Sequence, residues 1–169
     1  MTTVRYAAYG SNLHPHRLRR RVPSAVFLGT AFVPGRTLHF HKKGLDGSGK
    51  CNLVPSGAGV YVAVYSIEAD EKSVLDRYEH AGVGYDSVSL SVRGFGDCFT
   101  YRATKTHIVD DLAPYCWYSE MVLTGCQAHG FPEDYLAMVR AFSPLRDPDA
   151  TRRREQWAIV ETMRARSIR

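Results

Sequence analysis

The chain has 169 residues, of which 44% are hydrophobic and 11% aromatic, and it carries a formal charge of +5 at pH 7. That content excludes a disordered chain and gives one expected domain, 1–169, long enough to bury a sizeable core. No signal-like apolar N-terminus and no run approaching ~18 apolar residues is present, so a cytoplasmic protein without a membrane partner is expected.

Val4, Tyr6 and Ala8 alternate with Arg5 and Ala7 as in a short half-buried strand. Tyr9-Gly10-Ser11-Asn12-Leu13 follows, then a helix start with Pro15 in its first turn and Asn12 or His14 near the cap. Backbone N–H groups gathered at such a turn form a site for an anion or a carbonyl oxygen. Ala25–Val33 reads as a strand, Pro34-Gly35 as a turn, and Arg36–His41 as the returning strand. Lys42–Gly59 holds five glycines and reads as a long flexible loop. Val60–Ile67 is β-branched, aromatic and almost free of polar residues, which predicts a strand buried on both faces. Glu68, Asp70 and Glu71 are expected in the first turn of the next helix, with Val74, Leu75 and Tyr78 as its apolar stripe. Tyr85–Val92 and Cys98–Thr104 form a predicted hairpin. A helix from Tyr115 or Tyr118 to His129 ends on Gly130, and Pro132 starts another. A last charged helix is expected over 149–167. Strands first and helices last predict an α+β domain.

Three segments carry a family resemblance. They are Tyr9-Gly10-Ser11-Asn12-Leu13, Leu75-Asp76-Arg77-Tyr78-Glu79, and Tyr118 with Gly125 and Gly130-Phe131-Pro132-Glu133-Asp134-Tyr135. Together they resemble the γ-glutamylcyclotransferase-like family over most of residues 4–142. The resemblance implies a small mixed β-barrel flanked by helices. It also implies release of 5-oxoproline from a γ-glutamyl amide, with no metal or organic cofactor, in the sphere of glutathione metabolism.

That reaction needs a group to take a proton from the substrate α-amine and give one to the leaving amine, and one carboxylate can do both. The resemblance places it at Glu79, at the end of a helix where the dipole and partial burial act against its charge. Asp76, one turn earlier, is the rival. The resemblance also lines the glutamyl pocket with Tyr9, Gly10, Ser11, Asn12 and Leu13, and with Tyr85 and Tyr118. The amides of residues 10–12 would hold either the γ-carbonyl oxygen or the α-carboxylate. Tyr85 stands six residues after Glu79, where family members usually space a tyrosine by seven.

Other chemistries have weaker support. His39 and His41 share one face of a strand, but no carboxylate or cysteine cluster accompanies them, so no metal is expected. Cys51, Cys98, Cys116 and Cys126 contain no Cys-x-x-Cys and read as free thiols. Cys98 or Cys126 with His107 or His129 is the hydrolase alternative. Arg17–Arg21 and Arg152–Arg154 read as solvated faces, with nucleic acid or an acidic partner as the alternative. A small-molecule γ-glutamyl substrate and a monomer or homodimer are the expected partners and state.

Overall fold

The structure is a computed structural model and describes residues 2–166. The apolar run near the middle of the chain forms β5, Val60–Glu68, which is the most buried strand. Around it lie β1, Thr3–Ala8, and β2, Val26–Val33, both antiparallel to it. The hairpin of β6, Tyr85–Val92, and β7, Gly96–Ala103, joins by a parallel contact of Tyr6 with Phe99. The sheet order is β2-β5-β1-β7-β6.

Two expectations are corrected here. The strand after Pro34-Gly35, β3 at Thr37–Lys43, does not return along β2. It pairs instead with β4, Gly49–Val54, in a separate two-stranded unit. The segment 42–59 is therefore a hairpin and not a loop throughout. Its glycines disguise it. Gly49 is needed where the chain passes so close to Phe40 that a Cβ would stand 2.0 Å from the Phe40 carbonyl oxygen. The described pairings do not close a barrel. The hairpin reaches the sheet through a side chain, Asn52, whose Oδ1 accepts the Ala103 N–H at 2.8 Å. The α+β class stands.

The helices follow their apolar stripes. They are α1, Pro15–Arg19; α2, Lys72–Tyr78; α3, Cys116–Ala128; α4, Glu133–Arg140; and α5, Ala150–Arg164. The acidic residues before α2 fall outside it, and its first turn carries none. Glu71 instead accepts the Ser24 N–H at 3.0 Å, tying α2 to the start of β2. The expected end of α5 at Ser167 lies outside the described residues. α3 is buried on most of its surface, through Trp117, Tyr118, Met121, Val122, Leu123 and Cys126, as suits a core helix. Gly125 lets it meet the 9–14 loop: a Cβ there would stand 2.6 Å from Leu13 Cβ and 3.2 Å from the His14 nitrogen.

Asp147 fixes the start of α5. Its buried carboxylate accepts Trp117 Nε1 at 2.8 Å and two Arg152 nitrogens at 2.8 and 2.6 Å. These contacts, Arg152 first, hold the carboxyl well below its ordinary value of 3.8. A depressed folded value adds stability above the unfolded value, and that stability is lost as pH falls through the acid range.

Two outcomes follow. Asp147→Asn lowers Tm at neutral pH, and its Tm falls less than the wild-type Tm between about pH 5 and pH 2, read by circular dichroism. Gly125→Ala overpacks the α3 contact and destabilises by about 1–3 kcal/mol in denaturant titration.

Candidate active site

The 9–14 segment leaves β1 and turns back on itself, with the Leu13 N–H donating to the Gly10 carbonyl at 3.0 Å. His14 caps α1, its Nδ1 accepting the His16 N–H at 3.2 Å. With five residues, α1 contributes little dipole. What this turn offers is backbone. The N–H groups of Gly10, Ser11 and Asn12 have no acceptor among the described residues. The loop is held from behind, because the Leu13 carbonyl oxygen lies 2.6 Å from the donating Tyr65 hydroxyl and 2.7 Å from His129 Nε2.

Glu79 is the C-cap of α2. Its side chain is 17% exposed, and Oε1 accepts Asn12 Nδ2 at 3.0 Å and an Arg21 guanidinium nitrogen at 3.0 Å. Arg21 also donates to Asn12 Oδ1 at 3.2 Å, and Asn12 Nδ2 lies 3.2 Å from the Tyr6 hydroxyl. Beyond Glu79 the chain reverses through His80 at φ 50° and Gly82 at φ 85°. This reversal delivers Tyr85 as the first residue of β6 despite the six-residue spacing.

These elements enclose a narrow inner pocket of about 30 Å³. It is lined by Tyr6, Tyr9, Gly10, Ser11, Asn12, Cys51, Glu79, Tyr85, Tyr101 and Tyr118. It shares Ser11, Glu79, Tyr85 and Tyr118 with an outer chamber of about 300 Å³. Burial pushes the phenols of Tyr6, Tyr9, Tyr85 and Tyr118 up, so all four are neutral. Three are engaged with backbone. Tyr9 donates to the Tyr101 carbonyl at 2.5 Å, Tyr85 donates to the Cys51 carbonyl at 2.6 Å, and Tyr118 accepts the Cys51 N–H at 3.1 Å.

The structure thus gathers Tyr9, Gly10, Ser11, Asn12, Glu79, Tyr85 and Tyr118 around one pocket. It does not bring Leu13 there. That side chain is fully buried on the α3 side, near Gly125. Asp76 also lies outside, held by Lys72 and, at 2.6 Å, by the Tyr101 hydroxyl. Arg21 was missed. It read as part of a solvated basic run, yet Arg17 and Arg21 both line the outer chamber. Their four-residue spacing, one helical turn, was the available signal. Cys51 and Lys42 were missed because their segment read as a loop.

The rival centres do not assemble. His41 is occupied by Asn52 Nδ2, 2.9 Å from its Nε2. Among the described residues no group of three metal-ligating side chains forms around it. Burial pushes the Cys126 thiol up to about 12 and raises Cys98 as well, the reverse of an activated thiolate.

No described helix is long and apolar enough to cross a membrane. The model of the AIG2-like family matches residues 59–139. Bovine γ-glutamylcyclotransferase is 27% identical over 147 residues, covering 82% of this chain and 78% of that protein. The mouse protein of the same name is 26% identical over 151 residues, covering 84% and 80%. A solved γ-glutamyl cyclotransferase superposes with a TM-score of 0.82 at 23% identity, over 95% of this chain and 99% of that one. An uncharacterised human protein superposes at 0.79 and 23% identity, with the same coverage. At that identity the two structures speak for the fold alone. The family model and the curated relatives add a likeness in sequence, so the chain is similar in both fold and sequence to the AIG2-like, γ-glutamylcyclotransferase-like family.

Proposed function

We propose that this chain, as a single domain, releases 5-oxoproline and a free amine from a γ-glutamyl amide, with Glu79 as general acid/base and no cofactor. The observation that supports this most is one carboxylate, Glu79, set beside the unpaired amides of Gly10, Ser11 and Asn12 in a pocket walled by neutral phenols. The names of the bovine and mouse relatives support the same class of activity.

In this reading the glutamyl unit enters curled, so that its α-nitrogen faces its own γ-carbonyl carbon. Holding that conformer replaces about 7–11 kcal/mol of barrier that a bimolecular attack would face. The α-amine loses a proton to Glu79 as the new C–N bond closes the five-membered ring. The γ-oxygen gains charge and is received by the amides of the 10–12 turn, where removing one such donor elsewhere costs about 2.7–4 kcal/mol. Glu79 then returns the proton to the departing nitrogen as the amide C–N bond breaks. Arg21 and Asn12 both hold Oε1. That leaves Oε2, which has no partner among the described residues, as the oxygen that exchanges the proton. Tyr85 and Tyr118 wall the pocket and keep water out. Arg21 is a positioning residue, acting through Glu79.

The test is 5-oxoproline release from a panel of γ-glutamyl amides, read by mass spectrometry. Glu79→Gln lowers the rate by at least about 10²-fold with Tm near wild type, while Asp76→Asn retains turnover. Full activity in Glu79→Gln, or loss in Asp76→Asn alone, overturns the assignment.

A further inference from the structure

The outer chamber is lined by Arg17, Arg21, Lys42, Lys50 and Arg152, against the carboxylates of Asp46 and Glu79. Three of the five cations are committed. Arg21 pairs with Glu79 at 3.0 Å, Lys50 with Asp46 at 2.7 Å, and Arg152 with Asp147 at 2.6 Å. Arg17 and Lys42 make no ion pair among the described residues.

Of the two uncommitted cations, Lys42 is buried and Arg17 half-buried. Lys42 is 6% exposed. Its Nζ lies over the Tyr85 ring, 4.6 Å from the centroid. Gly84 makes room for it, since a Cβ there would stand 2.9 Å from that nitrogen. Arg17 Nε is shut from water without a hydrogen-bond partner among the described residues. Burial lowers both groups, although the charge of Glu79 acts the other way on each. A buried cation without a counter-ion is costly to the free protein. An arriving anion recovers part of that cost.

The position of the pair gives its use. Neither residue lines the inner pocket, and both lie beyond Glu79 and Tyr85. If the glutamyl unit fills the inner pocket, the amine half of the substrate projects toward them. The chamber, about 300 Å³, is of the size that holds a small molecule.

We propose that Arg17 and Lys42 form an anion subsite for the leaving amine, selecting γ-glutamyl amides whose amine carries two negative charges, as a phosphate monoester or two carboxylates. This rests on the reading of the inner pocket as a γ-glutamyl site. The cation over Tyr85 couples the two halves, because the same ring walls both compartments.

The experiment compares γ-glutamyl phosphoethanolamine, γ-glutamyl aspartate, γ-glutamyl alanine and γ-glutamyl ethylamide as substrates. The dianionic amides exceed the ethylamide in kcat/KM by at least about tenfold at low salt, with alanine between, and the advantage shrinks as salt rises. The phosphate and dicarboxylate arms tell which anion the subsite takes. In Arg17→Met and in Lys42→Met, each checked for folding by circular dichroism, the dianion-to-ethylamide ratio collapses toward one. Equal turnover of all four amides, or a ratio that survives both substitutions, overturns the subsite and leaves the cyclotransferase reading intact. Absence of 5-oxoproline from every amide overturns that reading instead. Calorimetric binding of phosphoethanolamine then reads the subsite alone: weaker binding in Lys42→Met supports it, and binding that is absent or unchanged overturns it.

Discussion

One carboxylate oxygen joins two regions that are far apart in sequence. Glu79 Oε1 receives Asn12 and Arg21, which lie 67 and 58 residues away. The three side chains also bond among themselves, through Arg21 and Asn12 Oδ1. The end of α2 and the turn after β1 are therefore set by the same interaction. A charge-assisted network of this kind gains strength from partial burial, where water competes less. It also fixes the carboxylate orientation: with Oε1 held twice, rotation of the group would break both contacts. The geometry of the pocket depends on that restraint, since the amides of residues 10–12 and the carboxylate belong to segments with no backbone pairing to each other.

A second restraint comes from the β3–β4 hairpin, through one residue. Cys51 donates its N–H to Tyr118 and accepts the Tyr85 hydroxyl at its carbonyl. Buried backbone groups need partners, and here the partners are phenols from α3 and β6. The same two rings thereby become fixed walls of the pocket. Gly10 completes the fit: a Cβ on it would stand 2.9 Å from Cys51 Cβ. The thiol is passive. Burial raises it well above its ordinary value, so Cys51 serves as a small apolar filler. Site and core are continuous, because what orders the pocket is the docking of a hairpin on a sheet.

Much of this was legible in the residues. Val60–Glu68 announces a central strand, and the Tyr85–Ala103 hairpin and α3 follow from alternation, helical spacing and a terminal glycine. The turn at 9–13 and the carboxylate at 79 were legible through motif likeness. What failed was non-local or masked. β4 hides between glycines, and its burial is earned by Cys51, Asn52 and Leu53 against the sheet, which no local propensity encodes. The pairing of β3 with β4 in place of β2 is a choice between partners, invisible to either strand alone. Arg21 read as a solvated charge because its partner lies far along the chain. Leu13 carried over with its motif, yet its carbonyl and not its side chain acts, by anchoring the turn.

The charge distribution gives the chamber its character. Cations that already hold a carboxylate contribute little new attraction, because a bound anion must share them. Lys50 on Asp46 and Arg152 on Asp147 belong to that scaffold, and their ion pairs keep the rim in shape. Lys42 and Arg17 differ in having nothing to give up. In a concave site with low-dielectric walls, the field of two such charges is focused inward and not spread over the surface. A net charge of +5 on 169 residues is modest, and the count alone reads as solubility. Two cations beside one cavity, neither in an ion pair among the described residues, are what the proposed subsite turns to recognition, because an anion entering there supplies a direct contact that the nearby carboxylates of Glu79 and Asp46 do not.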